Sequence, residues 1–438
     1  MYGFCRHHFY KNTSYKYFRE VRKLLFMGKI EIRKLVLVQL GFLLYFCLLL
    51  PSILVPLKTI VLISSTGLSL LCLRQEKFNA NGVLGGLLIV LVGLWGSFYG
   101  VIKGNPGAIP VLPVFVIYPA LYLVLGMAYH ASDSEKLLKL LLVASVSVGL
   151  FLTLYTMLTV SMPGNPLTQF LSTQYADRAV VDEGHGEYFK FTLPTVTSIL
   201  FLLPFCIGVY FSQKRYRGWA LISIVSLLIP TILSGRRGIF VSVIAGVLFA
   251  LLFTSRRYHN PDNKLNWIWL AAGLGGFALF LFLFSIYSVG FEFYLTRLAS
   301  ITDFTGDGSN TERRLQFDAL LSDILKAPML GSGAGAAGSY LRSTDMPWAY
   351  ELSYVSMVFH YGMLGGLMLL GVALTFVYNI IRMVGLNGRD SLYFPFLMGM
   401  VSFLLANATN PYLGKFDYIW VILLPMIFMM KNNAKRQL

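Results

Sequence analysis

The chain has 438 residues, of which 56% are hydrophobic and only 13% are charged. Soluble domains carry roughly 25% charged residues, so this composition excludes an ordinary soluble globular protein. The net charge of +16 would favour nucleic-acid binding in a soluble protein, but here the basic residues form short clusters between apolar runs, and no nucleic-acid partner is expected.

The apolar runs predict an all-α, polytopic transmembrane helical bundle. Each run approaches the roughly 20 residues that a helix needs to cross a bilayer, and the residues do not alternate as in a membrane barrel. Residues 1–34 are interpreted as a basic cytoplasmic juxtamembrane segment, and residues 35–438 as a single transmembrane domain. About twelve helices are predicted, at 35–56, 58–73, 83–102, 109–128, 137–160, 191–211, 219–233, 238–253, 266–288, 352–380, 392–409 and 418–430.

Charge predicts how these helices cross the membrane. With both termini in the cytoplasm, the even-numbered connections fall inside, and they hold almost every Lys and Arg cluster between helices, as the positive-inside rule requires. Two long outer loops remain, at about 161–190 and 289–351. The exception to the rule is Arg236–Arg237, which falls on the outer side, and arginines so placed are candidates for function.

The second outer loop contains a predicted helix from Asn310 to Lys326, whose apolar residues recur at helical spacing. Such a helix is expected to lie parallel to the membrane, over the mouth of the bundle. Arg313 and Arg314 lie in its first turn.

Two arginine pairs at one membrane face predict a binding site for phosphate. A guanidinium group binds phosphate oxygens through two parallel hydrogen bonds and stays charged at any relevant pH. Arg236, Arg237, Arg313 and Arg314 are therefore interpreted as a pyrophosphate clamp. The alternative is that single members anchor lipid headgroups or form ion pairs with nearby acidic residues.

Residues 331–338 are rich in glycine and formally match G-x-G-x-x-G. No βαβ unit surrounds them, so a dinucleotide site is rejected. Either the segment is a flexible loop, or its backbone approaches a phosphate or glycan, with Gly331 and Gly333 as candidate contacts. Glu351 opens the next helix, where it either caps the helix or acts as a general base. No His or Cys pattern has metal-ligand spacing, and neither a metal nor a cofactor is expected.

Three pieces of sequence carry a family resemblance. They are LSGRRG at 233–238, RRLQF at 313–317 followed by APMLGSG at 327–333, and ELSY at 351–354 followed by YGMLG at 361–365. In order and spacing they resemble the O-antigen polymerase and O-antigen ligase superfamily, bacterial integral-membrane glycosyltransferases. The resemblance brings Tyr354 into the candidate site, beside the glycines.

The resemblance implies an activity and a location. The donor would be a glycan on undecaprenyl pyrophosphate, held by Arg237 and by Arg313 or Arg314, and no nucleotide sugar, metal or cofactor would be needed. The protein would lie in the bacterial cytoplasmic (inner) membrane with its active site facing the periplasm. Membrane lipid and a chain-length regulator protein would be its other partners.

One departure separates the branches of that superfamily. Its ligases place a histidine eleven residues before the first glycine of a Gly-x-x-Gly step, and here Glu351 stands in that position before Gly362. This favours the polymerase branch, with Glu351 activating or positioning the acceptor hydroxyl. The alternatives are a ligase that transfers polymer to lipid A core, a lipid-linked oligosaccharide transporter or flippase, and a structural subunit. The scarcity of charge inside the helices argues against a flippase.

Overall fold

The computed structural model describes residues 31–72, 80–128, 134–162, 164–175, 181–182, 190–191, 193–234, 236–255, 308–387 and 392–423. These residues are helical, apart from connections and one two-residue antiparallel pairing, Val181–Asp182 with Lys190–Phe191. The helices are α1 (Glu31–Leu49), α2 (Val55–Cys72), α3 (Ala80–Ile102), α4 (Ala108–Leu112), α5 (Tyr118–Ala128), α6 (Ser134–Ser161), α7 (Pro166–Gln174), α8 (Ile199–Ser212), α9 (Arg217–Leu233), α10 (Arg237–Ser255), α11 (Gly308–Lys326), α12 (Ser353–Asn387) and α13 (Tyr393–Asn407).

Within the described ranges, 7 helices are long and apolar enough to cross a membrane. They are α1, α3, the run from α4 through a π-helical turn into α5, α6, α8 with the 3₁₀ turn that precedes it, α9 and α12. Helices α2, α10 and α13 are apolar but shorter. The apolar helices indicate a multi-pass membrane protein, and they follow the predicted order of spans. The predicted span at 266–288, most of the one at 418–430, and residues 1–30 lie outside the described residues.

Helix α8 forms the centre of the bundle. Its side chains are apolar all round, and a helix of this kind is stable only when every face is covered. It packs against α9, α10 and α13, and almost all of its residues are buried. Around this centre α6 packs on α9, α2 on α5, and α3 on α12. Gly208 permits the close contact with α13, because a Cβ there would lie 2.6 Å from the Cα of Pro395.

Helix α1 ends at Leu49, earlier than the predicted boundary at 56. Pro51 has no N–H group to continue the helical hydrogen bonds, and the next turn contains two non-glycine residues with positive φ, Ser52 (66°) and Leu54 (56°). The chain therefore turns sharply before α2 begins at Val55.

Helix α12 is interrupted at Gly362, whose φ of 67° and ψ of 179° are not helical. The interruption leaves backbone groups without helical partners, and such groups must be satisfied within the protein at membrane depth. The segment 328–333 supplies the partners. The N–H groups of Ser332 and Gly333 donate to the carbonyls of Phe359 (2.8 Å) and His360 (2.9 Å). In return, the N–H of Met363 donates to the carbonyl of Pro328 (2.8 Å).

The connections predicted to share one side of the membrane meet one another. Three hydrogen bonds join odd-numbered connections or the helix ends beside them: Gly107 N–H to the Gly335 carbonyl (3.0 Å), the Thr195 hydroxyl to the Leu49 carbonyl (3.0 Å), and the Tyr418 hydroxyl to the Pro194 carbonyl (3.0 Å). Two even-numbered connections are joined by the Arg215–Glu135 ion pair (3.2 Å). Helices that each cross the bundle once produce this pattern, and the candidate site lies at the odd-numbered end.

Candidate functional site

Helix α11 positions the second arginine pair. Its side toward the protein is mixed: Gln316 and Asp323 are buried there, and Leu320 joins a small apolar cluster. The exposed side carries four large apolar residues, Leu315, Phe317, Leu321 and Leu325. The predicted single apolar face is thus divided between the interior and the surface. An exposed apolar side is unusual for a helix in water but suits one that contacts lipid.

Glu351 lies between two arginines. Its Oε2 accepts a hydrogen bond from Arg313 Nε at 2.9 Å, and its Oε1 is 2.8 Å from Arg342 Nη2. Its backbone N–H donates to Gln316 Oε1 at 2.9 Å, which ties the start of α12 to α11. The carboxylate is mostly buried, with 13% of the side chain exposed. The structure therefore brings two of the predicted residues, Glu351 and Arg313, into direct contact.

Arg236, the described member of the first arginine pair, is linked to the same place through Tyr412, in the 3₁₀ turn Tyr412–Gly414. Burial raises the pKa of Tyr412, the positive charges of Arg236 and Arg313 lower it, and the negative charge of Glu351 raises it. Three predicted site residues that are far apart in sequence therefore lie close enough to act on one hydroxyl group.

Arg313 and its neighbour Arg314 have different environments. Arg313 faces Glu351 with about a quarter of its side chain exposed, whereas Arg314 is on the exposed side of α11. The backbone of Arg237 begins α10, but its side chain is outside the described part of the chain. The structure thus favours Arg313 over Arg314 as the inward-facing member of its pair.

Four members of the site were not predicted from the sequence. Arg342, Gln316, Tyr412 and Lys415 come from three different segments. Lys415 Nζ lies 5.9 Å from the centroid of the Tyr412 ring. The signal for Lys415 was available, because it is a basic residue in an odd-numbered connection, like Arg236. We call Arg236, Arg313, Arg342 and Lys415, together with Glu351 and Tyr412, the basic cluster.

The glycine-rich segment is a packed element rather than a flexible loop. Gly331, Gly333 and Gly335 all have positive φ (71°, 88° and 70°), and a Cβ on Gly331 would lie 2.4 Å from the backbone nitrogen of Gly362. The N–H groups of residues 331–334 all donate to protein carbonyls, and Asn105 Nδ2 donates to the Ser332 carbonyl at 2.9 Å. These contacts account for Gly331 and Gly333 without any ligand.

The remaining predicted residue, Tyr354, connects two helices. Its hydroxyl donates to the Leu404 carbonyl in α13 at 2.6 Å. The ring is partly exposed, but the hydroxyl is engaged by protein. Tyr354 therefore has a structural partner, and its role in substrate binding stays a prediction.

The chemistry of the cluster is that of an anion site. Two guanidinium groups, of Arg313 and Arg342, contact the Glu351 carboxylate, and the side chains of Arg236 and Lys415 lie near Tyr412. Positive charge therefore exceeds negative charge among the six residues of the cluster. Both Glu351 oxygens contact guanidinium groups, and each oxygen keeps a second lone pair with which it can accept a hydrogen bond from a substrate hydroxyl. Among the described residues no group of three or more His, Cys, Asp or Glu side chains could hold a metal ion.

The chain matches no model of a known protein family and none of the curated proteins.

Proposed function

We propose that this protein is a glycosyltransferase that polymerises undecaprenyl-pyrophosphate-linked oligosaccharide repeat units into O-antigen or a related surface polysaccharide. The observation that carries the proposal is the convergence of Arg236, Arg313 and Arg342 around Glu351 and Tyr412 at one end of a membrane bundle. Guanidinium groups gathered in this way suit a diphosphate, which carries several acceptor oxygens and is bound best by bidentate donors.

The reaction would take place at the periplasmic face of a bacterial cytoplasmic membrane. The acceptor hydroxyl of one repeat unit attacks the anomeric carbon of the donor glycan, a glycosidic bond forms, and undecaprenyl pyrophosphate leaves with the bonding electrons. The arginines stabilise the charge that develops on the leaving diphosphate. In this proposal Glu351 holds Arg313 and Arg342 in place. The proton of the acceptor hydroxyl passes to Glu351 if this residue acts as the general base, and otherwise to water.

Helix α11 suits a lipid-linked substrate. Its exposed apolar side would rest on the acyl chains, while the opposite side, which includes Gln316 and Asp323, faces the protein. A donor with a long prenyl chain would then approach from the bilayer and present its diphosphate to the cluster. Membrane lipid and a chain-length regulator are the further partners of the proposal.

The test is polymerisation by the purified protein in detergent. The reaction contains synthetic undecaprenyl-pyrophosphate-linked repeat units, without lipid A core or nucleotide sugar. We expect a ladder of longer lipid-linked products from the wild type and at least about a 100-fold lower rate from Arg313→Ala, because a charge-stabilising donor is lost.

Arg314→Ala is the matched control, because the same charge is removed from the exposed side of α11. It should keep a rate within a few-fold of the wild type. Equal rates for wild type and Arg313→Ala, with normal protein levels, would remove the basis of the proposal.

The interruption of α12 at Gly362 also suits a lipid-linked oligosaccharide flippase, because transporters bind substrate at broken helices. The same protein in proteoliposomes separates the two functions. Movement of the lipid-linked substrate across the bilayer without any ladder would support the flippase, and transfer only when lipid A core is added would support a ligase.

A further inference from the structure

Lys58 in α2 and Asp417 near the C-terminal end of the described chain form an ion pair inside the bundle. Lys58 Nζ donates to Asp417 Oδ1 at 2.6 Å and to the Leu50 carbonyl at 2.6 Å. The second carboxylate oxygen accepts the N–H of Ser52 at 2.8 Å. Only 1% of the Lys58 side chain and 3% of the Asp417 side chain are exposed. The site described above does not include this pair.

Stability alone is a poor reason for such a pair. The cost of removing both charges from water is as large as their attraction, and well-packed apolar side chains of similar size often stabilise a protein equally well. A buried ion pair does, however, specify geometry, because each charge must find its one partner. Ionisable residues buried in membrane bundles are also functional candidates, because their burial is costly.

The pair fixes two irregular segments against each other. On one side is the sharp turn after α1, with positive φ at Ser52 and Leu54. On the other is the segment 411–418, which consists of two 3₁₀ turns, Tyr412–Gly414 and Phe416–Tyr418. Neither segment has the regular hydrogen bonds of a long helix, so their relative position depends on contacts of this kind.

The segment 411–418 carries both Tyr412 and Lys415 of the basic cluster. Asp417 follows Lys415 by two positions, so an anchor at Asp417 restricts where the Lys415 ammonium group can lie. At the other end of the segment, the Leu413 N–H donates to Asn407 Oδ1 at 2.9 Å. The segment is therefore held at Asn407 in α13 and at Lys58, in addition to the hydrogen bond from Tyr418 to the Pro194 carbonyl.

We propose that the Lys58–Asp417 pair is a latch that holds segment 411–418 in place, so that Tyr412 and Lys415 face the diphosphate of the substrate. Lys58 and Asp417 are thus positioning residues, and this role rests on the proposed function of the basic cluster. The latch itself is a statement about structure, and it is tested without substrate.

The first measurement follows the position of the segment. The variant Leu413→Cys places a partly buried thiol in segment 411–418. The other cysteines are kept from reacting: Cys5 and Cys72 are replaced by serine, and Cys47 and Cys206 are buried. The double variant K58M/D417L removes both charges and the Ser52 hydrogen bond. We expect a polar maleimide to label the introduced thiol about tenfold faster in this variant, since a charge-assisted anchor is lost. The same chain without Leu413→Cys gives the background, and Leu341→Cys, on an exposed side chain, should label equally in both.

The second measurement is the affinity of purified protein for inorganic pyrophosphate. We expect it to fall about tenfold in K58M/D417L while the thermal unfolding midpoint changes little, which a purely stabilising pair would not produce. If K58M/D417L does not accumulate, K58M/D417N, which keeps an acceptor for Ser52, should show smaller changes in the same direction.

A labelling rate for Leu413→Cys that is the same with and without the ion pair, in folded protein, would overturn the latch. Wild-type protein that binds no pyrophosphate would instead contradict the anion site, and the labelling result would stand.

Discussion

Replacing Gly331 by alanine distinguishes a packed glycine segment from a substrate-binding one. The new Cβ would lie 2.4 Å from Gly362 N, 2.7 Å from the Phe359 carbonyl oxygen and 2.8 Å from the His360 carbonyl carbon. All three are backbone atoms of α12, next to its interruption, so no side chain can move aside to make room.

The expected cost follows from two terms. A non-glycine residue with a φ of 71° lowers the free energy of unfolding by about 1–2 kcal/mol, and overpacking against backbone lowers it by a further amount of about 1–3 kcal/mol. Alanine also reduces the conformational entropy of the unfolded chain, which raises the free energy of unfolding by about 0.4–1 kcal/mol. The free energy of unfolding should therefore fall by about 1–5 kcal/mol, a substantial part of the roughly 5–15 kcal/mol typical of folded proteins.

Thermal unfolding in detergent measures the effect. Gly371→Ala in α12 is the matched control, because nothing lies within 4 Å of a Cβ at that position, and the helix should gain slightly from alanine. A clearly lower midpoint for Gly331→Ala alone would support the packing role. An unchanged midpoint together with lost polymerisation would refute it and return Gly331 to the substrate site.

Two further predictions concern Glu351 and Asp323. Glu351→Gln keeps a hydrogen-bond acceptor for Arg313 but loses the negative charge. The KM for the lipid-linked donor should therefore rise about tenfold, with kcat little changed. A kcat that is at least about 100-fold lower at constant KM would instead identify Glu351 as the general base. Burial raises the pKa of Asp323, but hydrogen bonds from Lys326 (2.6 Å) and the Ser339 N–H (2.7 Å) outweigh burial and hold the pKa below its usual value. Because the folded pKa is the lower one, this stabilisation is present near neutral pH and is lost as the pH falls through the folded pKa. The thermal unfolding midpoint should thus decrease as the pH falls from neutral through the folded pKa of Asp323, and less steeply in Asp323→Asn. Equal slopes would contradict the assignment.

Local sequence patterns were enough to predict most of the architecture. The lengths of the apolar runs place the spans, since hydrocarbon demands continuous apolar helices, and ten of the predicted spans have counterparts among the described helices. The helix at 310–326 was predicted from its own periodicity and is present as α11. Arg236, Arg313 and Glu351 were singled out because their charge was unusual for their place along the chain. Each of these signals is carried by a short stretch of neighbouring residues.

Other features depend on contacts between distant parts of the chain. Arg342 joins the cluster only because the segment after the glycines returns to Glu351, and Lys58 meets Asp417 across 359 positions of sequence. The role of Gly331 is set by the interruption of α12 at Gly362. No periodicity or composition encodes these meetings, because they follow from how the helices pack and which loops that packing brings together. The sequence by itself therefore determined the class of protein and several of its charged candidates. The tertiary structure decided which of these candidates lie close together and which glycines pack against backbone.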